Sequence, residues 1–407
     1  MFLFGAATSS HQVEGENRNN WSEWEKKTAQ EKVDLAKKNT WADHILGEYP
    51  SPYDKENYIS GIATDHYRRC EEDFDIARSL GHTAHRFSIE WSRIEPEEGK
   101  FDKQEIDHYR KVIAAIRARG MEPFVTLWHW TVPVWFAEKG GWESSDNVRY
   151  FSRYVQTIVS ELGDTIHFWI TLNEPEVNTS ISYILGNWPP QKKSILLYLY
   201  VIYNLIRGHK SAYRIIKKKY PKSSVGIAKH NTDFEAADNK IINRFLKILG
   251  DWWWNSYFLD RIADYQDFIG LNHYFHNLID YGFGKNKKKI TSDMGWEIYP
   301  ESIYRVLKDL AAYEKPIYIT ENGVADSRDA YRESFIRETL KWVKKAKQEG
   351  VDVRGYFYWS LFDNFEWADG FWPRFGLVAV DYKTLERRIR PSAFAYKKMI
   401  EEWEKNS

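Results

Sequence analysis

Short apolar runs alternate with longer charged stretches of helical period eight times along this 407-residue chain. The runs lie at 2–7, 84–89, 123–128, 167–173, 224–228, 268–272, 316–320 and 353–360. The amphipathic stretches lie at 65–80, 103–119, 149–162, 194–219, 241–263, 301–313, 330–349 and 391–405. A short run that is apolar throughout suits a strand covered on both faces, and such strands belong to parallel sheets whose crossovers are helices. Eight of these units can close into a (β/α)8 TIM barrel, an α/β fold with its loop insertions at the C-terminal face. Four helical stretches stop at Gly81, Gly120, Gly163 and Gly350, where the left-handed turn past a helix end is free of a Cβ clash. No Pro/Ser/Gly-rich linker interrupts the pattern, so residues 1–407 are expected to form a single barrel domain. Stretch 21–63 is polar, weakly periodic and too long for an ordinary connection; it predicts an insertion or lid at the barrel mouth. The lysines of 285–289 read as a solvated loop after the sixth strand.

Composition narrows the function classes. Lys plus Arg and Asp plus Glu both number 58, which gives no global attraction for a nucleic acid or an anionic membrane. The single cysteine, Cys70, excludes an internal disulfide framework and a multi-cysteine zinc site, and fits a reducing compartment. The first residues lack both a basic leader and a long apolar stretch, so they do not read as a signal peptide. The longest apolar run, 195–206, is too short to span a bilayer and predicts a buried helix with no transmembrane segment. A cytoplasmic protein is therefore expected. The 19 Trp, 26 Tyr and 22 Phe favour a large core first, although sugar sites also use ring faces.

Barrel enzymes carry their chemistry at the C-terminal strand ends. There the chain places Gln12 after the first run, Arg86 in the second and Trp128-His129-Trp130 at the third. Asn173-Glu174 ends the fourth, Asn272-His273-Tyr274 the sixth and Glu321-Asn322 the seventh. Trp359 lies in the eighth, with Glu366-Trp367 beyond it. Taken singly, a strand-end glutamate is usually a solvated loop residue and His129 a hydrogen-bonded core histidine. Arg86 alone reads as half of a structural ion pair, and Gln12 as a helix cap. Falling together on one barrel face, they describe a polar pocket. Glu174 and Glu321 there form the carboxyl pair that glycosidic bond cleavage needs, one a proton donor and the other a nucleophile or base.

Seven segments carry a wider likeness. They are Phe-Gly-Ala-Ala-Thr-Ser-Ser-His-Gln-Val-Glu-Gly (4–15), Arg-Phe-Ser-Ile-Glu-Trp-Ser-Arg-Ile (86–94) and Thr-Leu-Asn-Glu-Pro (171–175), then Phe-Ile-Gly-Leu-Asn-His-Tyr (268–274) and Tyr-Ile-Thr-Glu-Asn-Gly (318–323). Tyr-Trp-Ser-Leu-Phe-Asp-Asn-Phe-Glu-Trp (358–367) and Arg-Phe-Gly-Leu-Val-Ala-Val-Asp-Tyr (374–382) complete the set. In this order the chain resembles glycoside hydrolase family 1, the β-glucosidase and β-glycosidase family. The resemblance implies that Glu174 is the acid/base and Glu321 the nucleophile. It also implies sugar contacts from Gln12, His129, Trp130, Asn173, Glu366, Trp367 and Phe375, with Trp359 as stacking floor. Arg86, Asn272 and Tyr274 would support the nucleophile. Three departures fall outside the carboxyl pair: the connection 260–267 is short, His273 replaces a common tyrosine, and Thr131 replaces a familiar acid.

The resulting expectation is a retaining exo-β-glycosidase acting on small-molecule or oligosaccharide β-glycosides. A β-glucosidase with β-galactosidase and β-fucosidase side activity comes first, and a β-mannosidase or transglycosylase of the same fold is the alternative. No cofactor or metal is implied, and a homo-oligomer is left open. An acidic Glu366 disfavours a phosphorylated sugar, and the presence of Glu174 disfavours a thioglucosidase. From other classes, a non-catalytic sugar-binding barrel would not need both glutamates, and a metal-dependent hydrolase would cluster His and Asp at the strand ends, where only His129 is well placed.

Overall fold

The structure is a computed structural model describing residues 2–287 and 289–405; Met1, Lys288, Asn406 and Ser407 lie outside the described residues. The lysine cluster at 285–289 is thus described only in part. Eight strands form a closed parallel barrel. They are β1 (Leu3–Ala7), β2 (Ala84–Ser88), β3 (Glu122–Thr126) and β4 (Phe168–Asn173). The other half comprises β5 (Ser224–His230), β6 (Phe268–Asn272), β7 (Ile317–Asn322) and β8 (Val353–Trp359). Each strand pairs with the next in chain order, and β8 returns to β1 with Ala7 opposite Trp359.

The continuous apolar runs have a direct cause. Ala7, Ala84, Phe124, Ile170, Phe268 and Phe357 fill the barrel interior, with Phe124 stacked on Phe168 at 4.2 Å between ring centroids. Their strand neighbours Val125, Trp169, Val225, Ile269 and Ile317 point outward and are equally buried, under the surrounding helices. Both faces of the sheet are therefore dry, and alternation disappears from the sequence. The outer helices include Lys103–Ala118, Val148–Leu162, Ile195–Lys219, Arg332–Gln348 and Pro391–Lys405. Among the described residues no helix is long and apolar enough to cross a membrane.

Three regions depart from the sequence expectation. The polar stretch after β1 contains a 17-residue helix, Asn20–Ala36, capped by the Asn19 side chain and the Ser22 hydroxyl. Its periodicity is masked because Ser22, Glu25 and Thr28 share the buried face with Trp21 and Trp24. Glu25 is satisfied there by the backbone and hydroxyl of Ser60 and by His11. Stretch 241–263 is not one helix but Ile241–Gly250, a wider turn at Asp251–Ser256, and Tyr257–Ile262. Run 195–206 is buried on one face only: Tyr198, Val201, Ile202 and Leu205 pack inward, whereas Ile195, Leu196, Leu199, Tyr200 and Tyr203 face solvent.

Candidate active site

Pairing registers slip near the C-terminal strand ends: between Ile170 and Asn173 in β4, between Leu271 and Asn272 in β6, and between Tyr356 and Tyr358 in β8. Such bulges re-aim side chains out of the regular inward–outward alternation. Past the end of β4, Glu174 adopts φ 41° and ψ 59°, a left-handed conformation rare for a residue with a Cβ, and Pro175 then starts a short helix. Trp130 and Trp367 share positive φ, at 75° and 50°. Three such residues at one barrel end mark a site whose geometry the surroundings enforce. Asn272 stands opposite Glu321 across the β6–β7 ladder. Gly323 lets the chain pass β8, since a Cβ there would lie 1.9 Å from the Trp359 carbonyl oxygen.

These side chains meet at a cleft of about 1500 Å³. His129, Trp130, Asn173, Glu174, Tyr274, Glu321, Trp359, Glu366, Trp367 and Phe375 line it. Arg86, Asn272 and Gln12 stand buried behind that wall. Arg86 donates from Nη1 to Glu321 Oε1 at 2.5 Å, from Nη2 to Asn173 Oδ1 at 2.6 Å and from Nε to Thr126 Oγ1 at 3.1 Å. The Tyr274 hydroxyl donates to Glu321 Oε2 at 2.8 Å. Asn272 Nδ2 donates to Glu174 Oε1 at 2.8 Å, its own carbonyl held by the Thr320 hydroxyl at 2.7 Å.

The network fixes orientations as well as positions. Asn173 Oδ1 accepts from both Arg86 and Asn272, so its Nδ2 must face His129 Nε2, 3.0 Å away. His129 then accepts at Nε2 and carries its proton on Nδ1, which has no protein partner. Burial holds this imidazole neutral, with its pKa well below the usual range. Gln12 donates from Nε2 to the Phe365 carbonyl at 2.8 Å and to Asn364 at 3.0 Å, leaving Oε1 without a protein partner. A buried donor and a buried acceptor thus stay unpaired at the cleft, the condition a hydroxylated ligand would relieve.

The two carboxyls differ electrostatically. Burial pushes Glu174 up to about 8, and the nearby Glu321 charge adds to the rise. Burial also pushes Glu321 up, but the Arg86 guanidinium and the Tyr274 hydroxyl pull it back. The pair therefore ionises first at Glu321 and keeps its proton on Glu174. Glu366 is raised well above the carboxylate range by burial, then by Asp369 and Glu321, so it can offer a hydroxyl group as well as an acceptor.

Several site residues escaped the sequence reading. Lys229, fully buried in β5, donates to the backbone carbonyls of His230 and Trp254 at 2.6 Å each and lies 3.3 Å from Glu176, two residues past Glu174. A lysine inside the run Val-Gly-Ile-Ala-Lys was the available signal. Trp24 and Lys32 of helix Asn20–Ala36 also line the cleft, which brings the inserted stretch to the mouth. Of the departures, Thr131 donates to Glu90 at 2.9 Å, and His273 bonds the Asn231 carbonyl and Ser302 at 2.8 and 2.7 Å. The short connection is a single 3-10 turn, Ala263–Tyr265. Asp233, Glu235 and His276 also cluster, but Arg305 engages Asp233 there, a cation in the place a metal ion would take.

Comparison with known proteins matches the chain along its length. The model of glycosyl hydrolase family 1 matches residues 1–260 and 231–405. A 1,4-beta-D-glucan glucohydrolase from Thermotoga neapolitana is 32% identical over 98% of this chain and 97% of that protein. The solved beta-glycosidase from Pyrococcus horikoshii superposes with a TM-score of 0.86 at 37% identity, covering 98% of this chain and 93% of that one. The beta-glucosidase from Thermotoga maritima in complex with glucoimidazole gives 0.84 at 31% identity over 98% of both chains.

Proposed function

The chain belongs to glycosyl hydrolase family 1, and from that premise we propose that it is a retaining exo-β-glucosidase with Glu321 as nucleophile and Glu174 as acid/base. The observation that carries this reading is the asymmetry of the carboxyl pair. Glu321 is held by Arg86 and Tyr274, donors that favour its charged form, whereas Glu174 receives only the Asn272 amide. An ionised Glu321 attacks the anomeric carbon while Glu174 protonates the departing oxygen, and a glycosyl ester forms on Glu321. Esterification removes the Glu321 charge that had raised Glu174. Glu174 then loses its proton more readily and becomes the base that activates water for the second displacement.

The remaining residues suit one terminal sugar. Trp359 offers a ring face, while Glu366 with Gln12, and His129 with Asn173, offer hydroxyl partners. Glucose is the sugar assigned, since relatives along the whole chain are named beta-glucosidase or 1,4-beta-D-glucan glucohydrolase. The single Cys70 supports a cytoplasmic location. Proton NMR of the first product released from 4-nitrophenyl β-D-glucoside tests the mechanism. Retention predicts β-glucose before mutarotation; α-glucose first would mean inversion and refute the nucleophile assignment.

A further inference from the structure

The catalytic steps leave one buried ion pair beside the cleft unused. Lys229 stands in β5 and Glu176 in the short helix after Glu174; their side chains are 0% and 3% exposed and lie 3.3 Å apart. Lys229 Nζ also donates to the His230 and Trp254 carbonyls at 2.6 Å each. Three acceptors thus face the three N–H bonds of an ammonium, whereas a neutral amine would turn its lone pair on one of them. Glu176 takes no well-aligned hydrogen bond, so the ammonium is its compensation. Such a pair is a poor source of stability, since an apolar pair of equal volume would serve the core as well. Its placement points to another use.

The pair is built around Glu174. The Glu174 backbone N–H donates to the carbonyl of Ala228 at 2.8 Å, the residue before Lys229, and Pro175 alone separates Glu174 from Glu176. Ala228 fills the barrel interior, and Lys229, next along the strand, reaches out to Glu176 and to the wide turn Asp251–Ser256. The Trp254 indole of that turn donates to His230 Nδ1 at 3.1 Å, and both rings line the cleft. Lys229 therefore ties the segment that carries Glu174 to the wall beside it.

The surrounding charges single this ammonium out. Glu321, Arg86, Tyr274 and Glu366 act on Glu174 from the cleft. Behind it, burial holds the His230 and His273 imidazoles below their usual range and so neutral. Tyr198, from helix Ile195–Lys219, is a phenol pushed up to about 12 by burial, and Asp251 of the wide turn is paired with Lys247. Lys229 remains as the cation that draws Glu174 toward its ionised form, against burial and the Glu321 charge. Glu176 is the counter-charge that limits this pull.

Resting on the assignment of Glu174 as acid/base, we infer that Lys229 and Glu176 are positioning residues for it. The ammonium favours the ionised carboxyl that must take a proton from water in the second displacement. Glu176 keeps that pull weak enough for Glu174 to hold its proton in the first.

The pH dependence of kcat/KM for phenyl β-D-glucoside, whose leaving oxygen needs a proton, tests the inference. Glu174→Gln checks the parent reading separately: its residual activity should no longer fall as pH rises through about 8. Lys229→Met should move the wild-type fall to higher pH by about one unit, and Glu176→Gln should move it to lower pH by a similar amount, the scale of one nearby charge. Lost packing alone would not send the two variants in opposite directions. Should Lys229→Met fail to fold with Glu176 unpaired, Lys229→Met/Glu176→Gln carries the same upward shift. A fall that persists in Glu174→Gln refutes the acid/base reading and this inference with it. A fall that vanishes there, but stands still or moves the same way in both single variants, overturns the inference alone.

Discussion

The floor and the rim of the cleft are built on opposite principles. On the floor, Arg86, Asn173 and the Asn272–Tyr274 segment come from three different strands, and their polar contacts hold Glu321 and Glu174 in a closed network. At the rim, aliphatic and aromatic side chains stand in solvent on helices and loops with few polar ties. The floor holds charge in fixed positions, which suits a reaction whose charge moves from one carboxyl to a sugar and back. The rim offers chiefly apolar area with a few polar side chains such as Glu31, Lys32 and Gln191, and it stands in solvent apart from the buried carboxyl pair. Substitutions on the floor should therefore change rate and pH dependence, and substitutions at the rim should change substrate ranking.

The largest effect should come from the floor. Glu321→Ala removes the covalent route, and hydrolysis should fall by about 10⁴-fold or more in a protein that remains folded by circular dichroism. A folded variant keeping a tenth of the wild-type rate would break the comparison at its base. Next is Glu174→Ala, with a loss of about 10²–10⁴-fold on alkyl glycosides. Dinitrophenolate needs no proton to leave, so the first step on a dinitrophenyl glucoside should hardly slow, and water attack on the ester should become limiting. Azide needs no base and should restore turnover, yielding β-glucosyl azide. Equal losses on both substrates without rescue would exchange the two roles.

Tyr274→Phe sharpens the electrostatic half. The hydroxyl favours ionised Glu321, so its loss should move the acidic limb of kcat/KM upward by about one to two units, the scale of a hydrogen bond to a charge. With Glu174 as the proton donor, activity should fall as pH rises through about 8 and that carboxyl loses its proton. An unmoved acidic limb would remove Tyr274 from the account. The smallest effects concern which sugar is read. Trp359→Ala should lower glucoside and fucoside turnover by a similar factor, because a ring face is read by area. Glu366→Ala should change their ratio by at least about ten-fold, since a buried polar partner discriminates by the hydroxyl it expects. Equal ratios in both variants would exclude Glu366 as a sugar partner.

The same division explains what could be read from the chain alone. Barrel strands are buried on both faces, so they left uninterrupted apolar runs, and any polar residue within or just after such a run stood out. Arg86, Asn173, Glu174, Asn272 and Glu321 were visible for that reason. Lys229 obeyed the same rule but lay in a strand without a matching segment. The rim left no such contrast. In 195–206 the solvent-facing and inward-facing positions are both apolar, so periodicity could not reveal that one face is exposed. In helix Asn20–Ala36 the buried face carries Ser22 and Thr28, which bond to Asn19 and Trp24 nearby, and Glu25, whose partners His11 and Ser60 lie outside the helix. Those partners exist only after folding, and no local pattern encodes them.

Trapping the ester tests most directly the claim that Glu321 attacks while Glu174 carries the proton. In a dinitrophenyl 2-deoxy-2-fluoro-β-D-glucoside, fluorine destabilises both cationic transition states and the good leaving group carries only the first step forward. Ester should therefore accumulate. The account predicts inactivation at one equivalent, with the fluoroglucosyl group found by peptide mass spectrometry on Glu321, and no ester in Glu321→Gln. A label on Glu174, or turnover without any trapped ester, would contradict it.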